Sequence, residues 1–224
     1  MGRCASSSSG ITGSDRYNTR VTGDMWNPIH GASQTLTVHS PTDWSVTADM
    51  PAGNSAVVSY PDTQVNYITT SNTSTPLSDF SSIMSSYAES GPGSGGGDDY
   101  EAAYDIWAGG GGHNFANEIM IWVDNHGQRP SGHQMTTVSI DGVSYALWHS
   151  GLINGHGHNT VSLVLPQDET SGTVNILRVL NWLISNGYVP SGVGLSQIGF
   201  GWEICSTGGV AKTFSLTGYS ITSS

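Results

Sequence analysis

The sequence predicts one all-β domain of the sandwich or barrel kind, with a single helix packed against the outside of a sheet. Three observations predict it. Short runs in which apolar and polar residues alternate recur along the chain: "QTLTVHS", "WSVTADM", "AAYDIW", "MTTVSIDGVSYALWHS", "TVSLVLP" and "KTFSLTGYSIT". Clusters of Gly, Pro, Asn and Asp separate them, the punctuation of short half-buried strands. Only 10% of the 224 residues are charged and 30 are glycine, a turn-rich composition kept soluble by neutral polar groups. Finally, one segment alone breaks the period-two rhythm. The length suits one large β domain, residues 1–224, and is short for two.

Taken in order, the N-terminal "MGRCASSSSG" has no signal-peptide apolar core and no apolar run approaches transmembrane length. The expectation is a secreted protein whose leader has been removed, monomeric by default. "SGPGSGGGDD", Ser90 to Asp99, reads as a long mobile loop beside an active surface, since strand patterns resume on both sides of it. Asp141-Gly142 between two alternating runs signals a tight hairpin. In "TVNILRVLNWLISNGY", Val174, Leu177, Val179, Leu180, Leu183 and Ile184 share a helical face, and Gly187 is a C-terminal stop. That predicts a helix of about three turns.

The net charge of −11, six Lys plus Arg against seventeen Asp plus Glu, repels phosphate backbones and argues against a nucleic-acid partner. An uncharged polysaccharide remains compatible. Cys4 and Cys205 could form one disulfide or both be free. No cofactor or metal is expected. His156 and His158 in "NGHGHN" lack an evident third ligand, and Asp98-Asp99 lacks the ligand periodicity of a calcium loop.

Three strands carry the chemistry. In "NEIMIWVD", Ile119, Ile121 and Val123 make an apolar face, while Glu118, Met120, Trp122 and Asp124 fall on the other. In "QIGFGWEIC", Ile198, Phe200, Trp202 and Ile204 oppose Gln197, Gly199, Gly201 and Glu203. The two glycines leave room for a chain to lie beside Glu203. In "EAAYDIW", Ala103, Asp105 and Trp107 share a face. Each strand thus turns one face to a core and an acid to the other side. Indoles stack on sugar rings, and paired carboxylates about 5 Å apart cleave glycosidic bonds with retention.

At these residues a resemblance appears. "NEIMIW" followed by "GQRPSG", with "YDIW" upstream, "SQIGFGWE" near the end and "VVSYPDTQVNY" earlier, resembles glycoside hydrolase family 12, compact β-jelly-roll endoglucanases. The likeness runs from about Trp26 to the C-terminus. It implies two antiparallel sheets with a concave substrate cleft and one packed helix. It places the nucleophile on Glu118, the general acid/base on Glu203 and the aspartate supporting the nucleophile on Asp105. Met120 and Trp122 match residues lining the cleft, and Trp26 in "GDMWNP" looks like a stacking tryptophan. Pro130 belongs to a loop resembling one that closes over the cleft end, and Trp107 joins the substrate-binding set. The motif around Trp26 departs from the family's usual Asn-Asn-x-Trp-Gly, and an N-terminal cysteine pair is missing.

The implied function is retaining hydrolysis of internal β-1,4-glucosidic bonds of cellulose or related β-glucans. Within the class, a xyloglucan-specific or mixed-linkage enzyme is the alternative. Outside it, a lectin-like carbohydrate-binding jelly roll would use the same tryptophans without needing two glutamates.

Overall fold

A computed structural model describes residues 18–93, 95–110, 113–151 and 158–224. The strands are β1 (Asn18–Asp24), β2 (Ser33–Ser40), β3 (Asp43–Asp49), β4 (Tyr60–Asn66), β5 (Thr75–Pro76), β6 (Ile83–Ser90), β7 (Asp98–Gly110), β8 (His113–His126), β9 (His133–Ile140), β10 (Val143–Ser150), β11 (Asn159–Val164), β12 (Ser171–Asn175), β13 (Gly194–Thr207) and β14 (Lys212–Ser223). The helix α1 (Ile176–Ser185) lies between β12 and β13. The larger sheet runs β1-β4-β13-β7-β8-β11-β10-β9, with β5 also on β13; the smaller runs β12-β6-β14-β3-β2. Pairing is antiparallel except between β8 and β11, which run parallel.

The apolar faces read from the sequence meet between these sheets. Tyr104, Ile106, Ile119, Ile121, Ile198, Phe200 and Trp202 come from the larger sheet, and Trp44, Val46, Tyr87, Phe214 and Leu216 from the smaller. Trp44 and Trp202 pack edge to face at 5.4 Å, an arrangement the ring quadrupole favours. Trp44 Nε1 donates to Thr63 Oγ1 at 2.7 Å, so its buried polar atom is satisfied.

The local expectations for the hairpin and the helix hold. Asp141 (φ 52°) and Gly142 (φ 84°) both take left-handed backbone between β9 and β10, as a tight two-residue hairpin requires. α1 is capped by Asn175, whose side chain accepts from the Arg178 N–H, and Gly187 (φ 76°) follows its end. Its buried face is Ile176, Leu177, Val179, Leu180 and Leu183, while Val174 belongs to β12. No helix among the described residues is long and apolar enough to cross a membrane.

Asp124 departs from the sequence reading. The register of β7 against β8 shifts, so that Ala102 faces Asp124 and Ala103 faces Trp122, leaving Val123 as an extra residue. A bulge of this kind reverses the alternation beyond it. Asp124 therefore leaves the face of Glu118 and sits nearly buried on the core side, with His126 Nε2 2.9 Å from its Oδ1. Asp124, His126 and Asp168 bring ligand-type atoms within 4.8 Å of one another, a group that could hold a metal ion. Glu89 lies beside them; burial first, and the Asp124 charge second, push its carboxyl up to about 8. Cys205 is buried, whereas Cys4 and His156 lie outside the described residues. Asp98 is engaged by Lys212 Nζ at 2.6 Å.

Candidate active site

On the face turned away from the core, β13, β7 and β8 lie side by side, with β4 beyond β13 and β11 beyond β8. Asp105 is central: it faces Met120 of β8 on one side and Gly199 of β13 on the other. Glu118 faces Trp107, and Glu203 faces Glu101. Six residues of β7, from Trp107 to Glu101, thus separate the levels of Glu118 and Glu203. On a flat strand that is about 20 Å at roughly 3.3 Å per residue. The charge of Glu118 nevertheless acts on Glu203, and both act on Asp105 between them.

Each acid has a distinct setting. Glu118 Oε2 accepts from Thr160 Oγ1 at 2.8 Å, across the parallel pairing with β11. Asp105 Oδ2 accepts from Trp107 Nε1 at 2.7 Å, while its Oδ1 has no donor among the described residues. Burial first and the Glu118 charge second hold the Asp105 carboxyl well above the usual range. Burial, reinforced by the charge of Glu118, raises Glu203 to about 7, and a hydrogen bond from Glu101 opposes the rise.

The aromatic residues differ in exposure. Trp26 stands 58% exposed in the segment between β1 and β2. Trp107 is half-buried, its ring 4.7 Å from His158 and 5.6 Å from Phe115. Met120 and Trp122 are buried with Ala103 in a small apolar cluster flanked by Val164. Neither the Met120 thioether nor the Trp122 ring is exposed. Pro130 is buried after the turn in which Gln128 Nε2 donates to the Glu203 carbonyl at 2.9 Å.

The glycines of β13 have another reason than the one read from sequence. A Cβ on Gly201 would sit 2.0 Å from the Pro61 carbonyl oxygen, and one on Gly199 2.6 Å from Asp62 Oδ2. The space beside them is taken by β4, not left for a substrate. Close strand approach requires glycine there.

Sequence reasoning also passed over residues of this face. Glu101, fully buried opposite Glu203, lies at period two from Asp105, a signal already present in "EAAYDIW". Trp148, with the Arg129 guanidinium 5.2 Å from its ring, alternates with core residues Tyr145 and Leu147. Thr160 could be found only through the β8–β11 register.

The profile of glycosyl hydrolase family 12 matches residues 17–223. The chain belongs to glycosyl hydrolase family 12. As a family 12 chain it is a glycoside hydrolase of endoglucanase type with the jelly-roll fold. Endoglucanase S of Pectobacterium parmentieri is 26% identical over 201 residues, covering 81% of this chain and 74% of that protein. The xyloglucanase domain of NopAA, a type three effector from Sinorhizobium fredii, solved with cellobiose, is 26% identical with a TM-score of 0.77 over 92% of this chain and 94% of its own. The family 12 xyloglucanase of Bacillus licheniformis, solved with a ligand, is 25% identical with a TM-score of 0.77 over 100% of both chains.

Proposed function

We propose that this family 12 chain is a retaining endo-β-1,4-glucanase in which Glu118 is the nucleophile and Glu203 the general acid/base. The observation that carries the reading is the placing of two carboxyls on the sheet face turned from the core, on either side of Asp105, where burial and then the charge of Glu118 raise Glu203 to about 7, so that it is protonated in mildly acidic solution. Glu118, oriented by the Thr160 hydroxyl, attacks the anomeric carbon. The glycosidic C–O bond breaks, and the proton of Glu203 passes to the leaving oxygen. Water then attacks the glycosyl ester, giving its proton to Glu203 and releasing Glu118, with overall retention. Asp105, tied to the Trp107 indole and subject to the charge of Glu118, supports the nucleophile. Trp26 and Trp107 offer ring faces to sugars, Met120 and Trp122 pack the floor, and Pro130 shapes the end of the cleft.

The substrate in this reading is a β-1,4-glucan backbone. Xyloglucan is the alternative, favoured by the names of the two structural relatives at 25–26% identity. The same reading takes residues 1–224 as one secreted, monomeric catalytic domain. Reducing-end release from carboxymethylcellulose, barley mixed-linkage glucan and tamarind xyloglucan tests it, with Glu118→Gln alongside. Cutting by the wild type alone supports the assignment, and the rank order gives the substrate. Binding of glucans by both proteins without release of ends would replace the enzyme reading by a lectin. Inversion at the anomeric centre in a fresh digest would overturn the mechanism.

A further inference from the structure

Among the carboxyls of the open face, Glu101 has no role in the mechanism above and no exposed surface. It faces Glu203 directly across the β7–β13 ladder. Neither of its oxygens accepts a hydrogen bond from an N–H or hydroxyl among the described residues. After burial, the Glu203 carboxyl opposite it is the group that acts most strongly on Glu101. The charged and titratable groups around this pair offer no cation: Asp99 and Asp105 come from β7, Cys205 from β13 and Tyr60 from β4, while Glu118 of β8 acts on Glu203. Gln128 gives its amide to the Glu203 backbone, not to either carboxyl. Two carboxyls facing each other across a ladder, one of them fully buried, with no cation and no other donor, favour a proton between them.

We propose that Glu101 is a positioning residue that keeps its own proton and donates it in a hydrogen bond to Glu203, aiming that carboxyl and easing the release of its proton. The proposal rests on the acid/base role assigned to Glu203. Burial, then the charge of Glu203, hold Glu101 well above the usual carboxylate range, so it stays neutral while Glu203 titrates. The bond is strongest when Glu203 is ionised, which offsets part of the rise that burial and Glu118 impose on Glu203. A residue that must act as acid in one step and base in the next gains from that balance.

Two variants separate a neutral donor from a buried charge and from mere packing. Glu101→Gln retains a donor without a titratable group; Glu101→Leu removes the donor. The alkaline limb of the kcat/KM profile on a soluble β-glucan should stay in place in Glu101→Gln and move up by about one pH unit in Glu101→Leu, a tenfold change in proton affinity. A downward move in Glu101→Gln, or no upward move in Glu101→Leu, overturns the proposal. Carbon-13 NMR of labelled glutamate carboxyls, with Glu101 and Glu203 assigned through Glu101→Gln and Glu203→Gln, reads the pair without any substrate. A Glu101 signal that stays protonated while Glu203 titrates supports it, and ionisation of Glu101 at ordinary carboxylate pH overturns it. That readout stands even where Glu101→Leu fails to fold. A protein that cuts no glucan yet shows this titration defeats the assigned reaction, not the hydrogen bond.

Discussion

Glu118 and Glu203 are the same residue type on the same sheet face, and their surroundings differ in the way the proposed division of labour needs. Glu118 has the Thr160 hydroxyl on one oxygen, whereas Glu203 has a carboxyl neighbour, burial and the Glu118 charge. Activity is therefore expected to fall on the alkaline side with a midpoint near the value of about 7 held by Glu203, measured as kcat/KM against pH. Thr160→Val removes one hydrogen bond to a charged group and should lower kcat by about tenfold, with KM little changed. Glu118→Gln should lower kcat by on the order of a thousandfold or more, with glucan binding retained in equilibrium dialysis.

At the scale of the element, strand pairing overrides what each strand's own sequence suggests. The extra residue Val123 carries Asp124 to the core side, and β4 fills the space beside the glycines of β13. Gly201→Ala would place a Cβ 2.0 Å from the Pro61 oxygen and 2.7 Å from the Asp62 Cα, both backbone atoms. The expected loss is on the order of 3 kcal/mol, or roughly 10 °C in Tm by scanning calorimetry. Gly142→Ala meets nothing within 4 Å and suffers only its left-handed backbone, φ 84°. Its cost should be about 1 kcal/mol, and a smaller drop in Tm for Gly142→Ala than for Gly201→Ala checks the distinction.

For the molecule as a whole, the burial of carboxyls without cations links stability to pH. Glu89 at about 8 and Glu203 at about 7 bind protons more tightly folded than unfolded. Their contribution is fully present below the unfolded carboxylate pKa and is lost as pH rises through the folded values. The Tm should therefore fall between about pH 5 and about pH 8, and Glu89→Gln should flatten part of that slope. The sequence by itself determined much of this protein. Period-two alternation marked the strands and their core faces, Asp141-Gly142 marked the hairpin, and the Glu-Ile-Met-Ile-Trp run pointed to the carboxyl face, because these features depend on neighbours within a few residues. Tertiary structure alone decided which acids meet. Glu118 and Glu203 lie 85 positions apart in the chain, and the β13–β7–β8 pairing brings them onto one sheet face, where the charge of one acts on the other. Thr160 reaches Glu118, and Glu101 reaches Glu203, through ladders between distant segments, and proton affinity follows burial and partners that no local window of sequence contains.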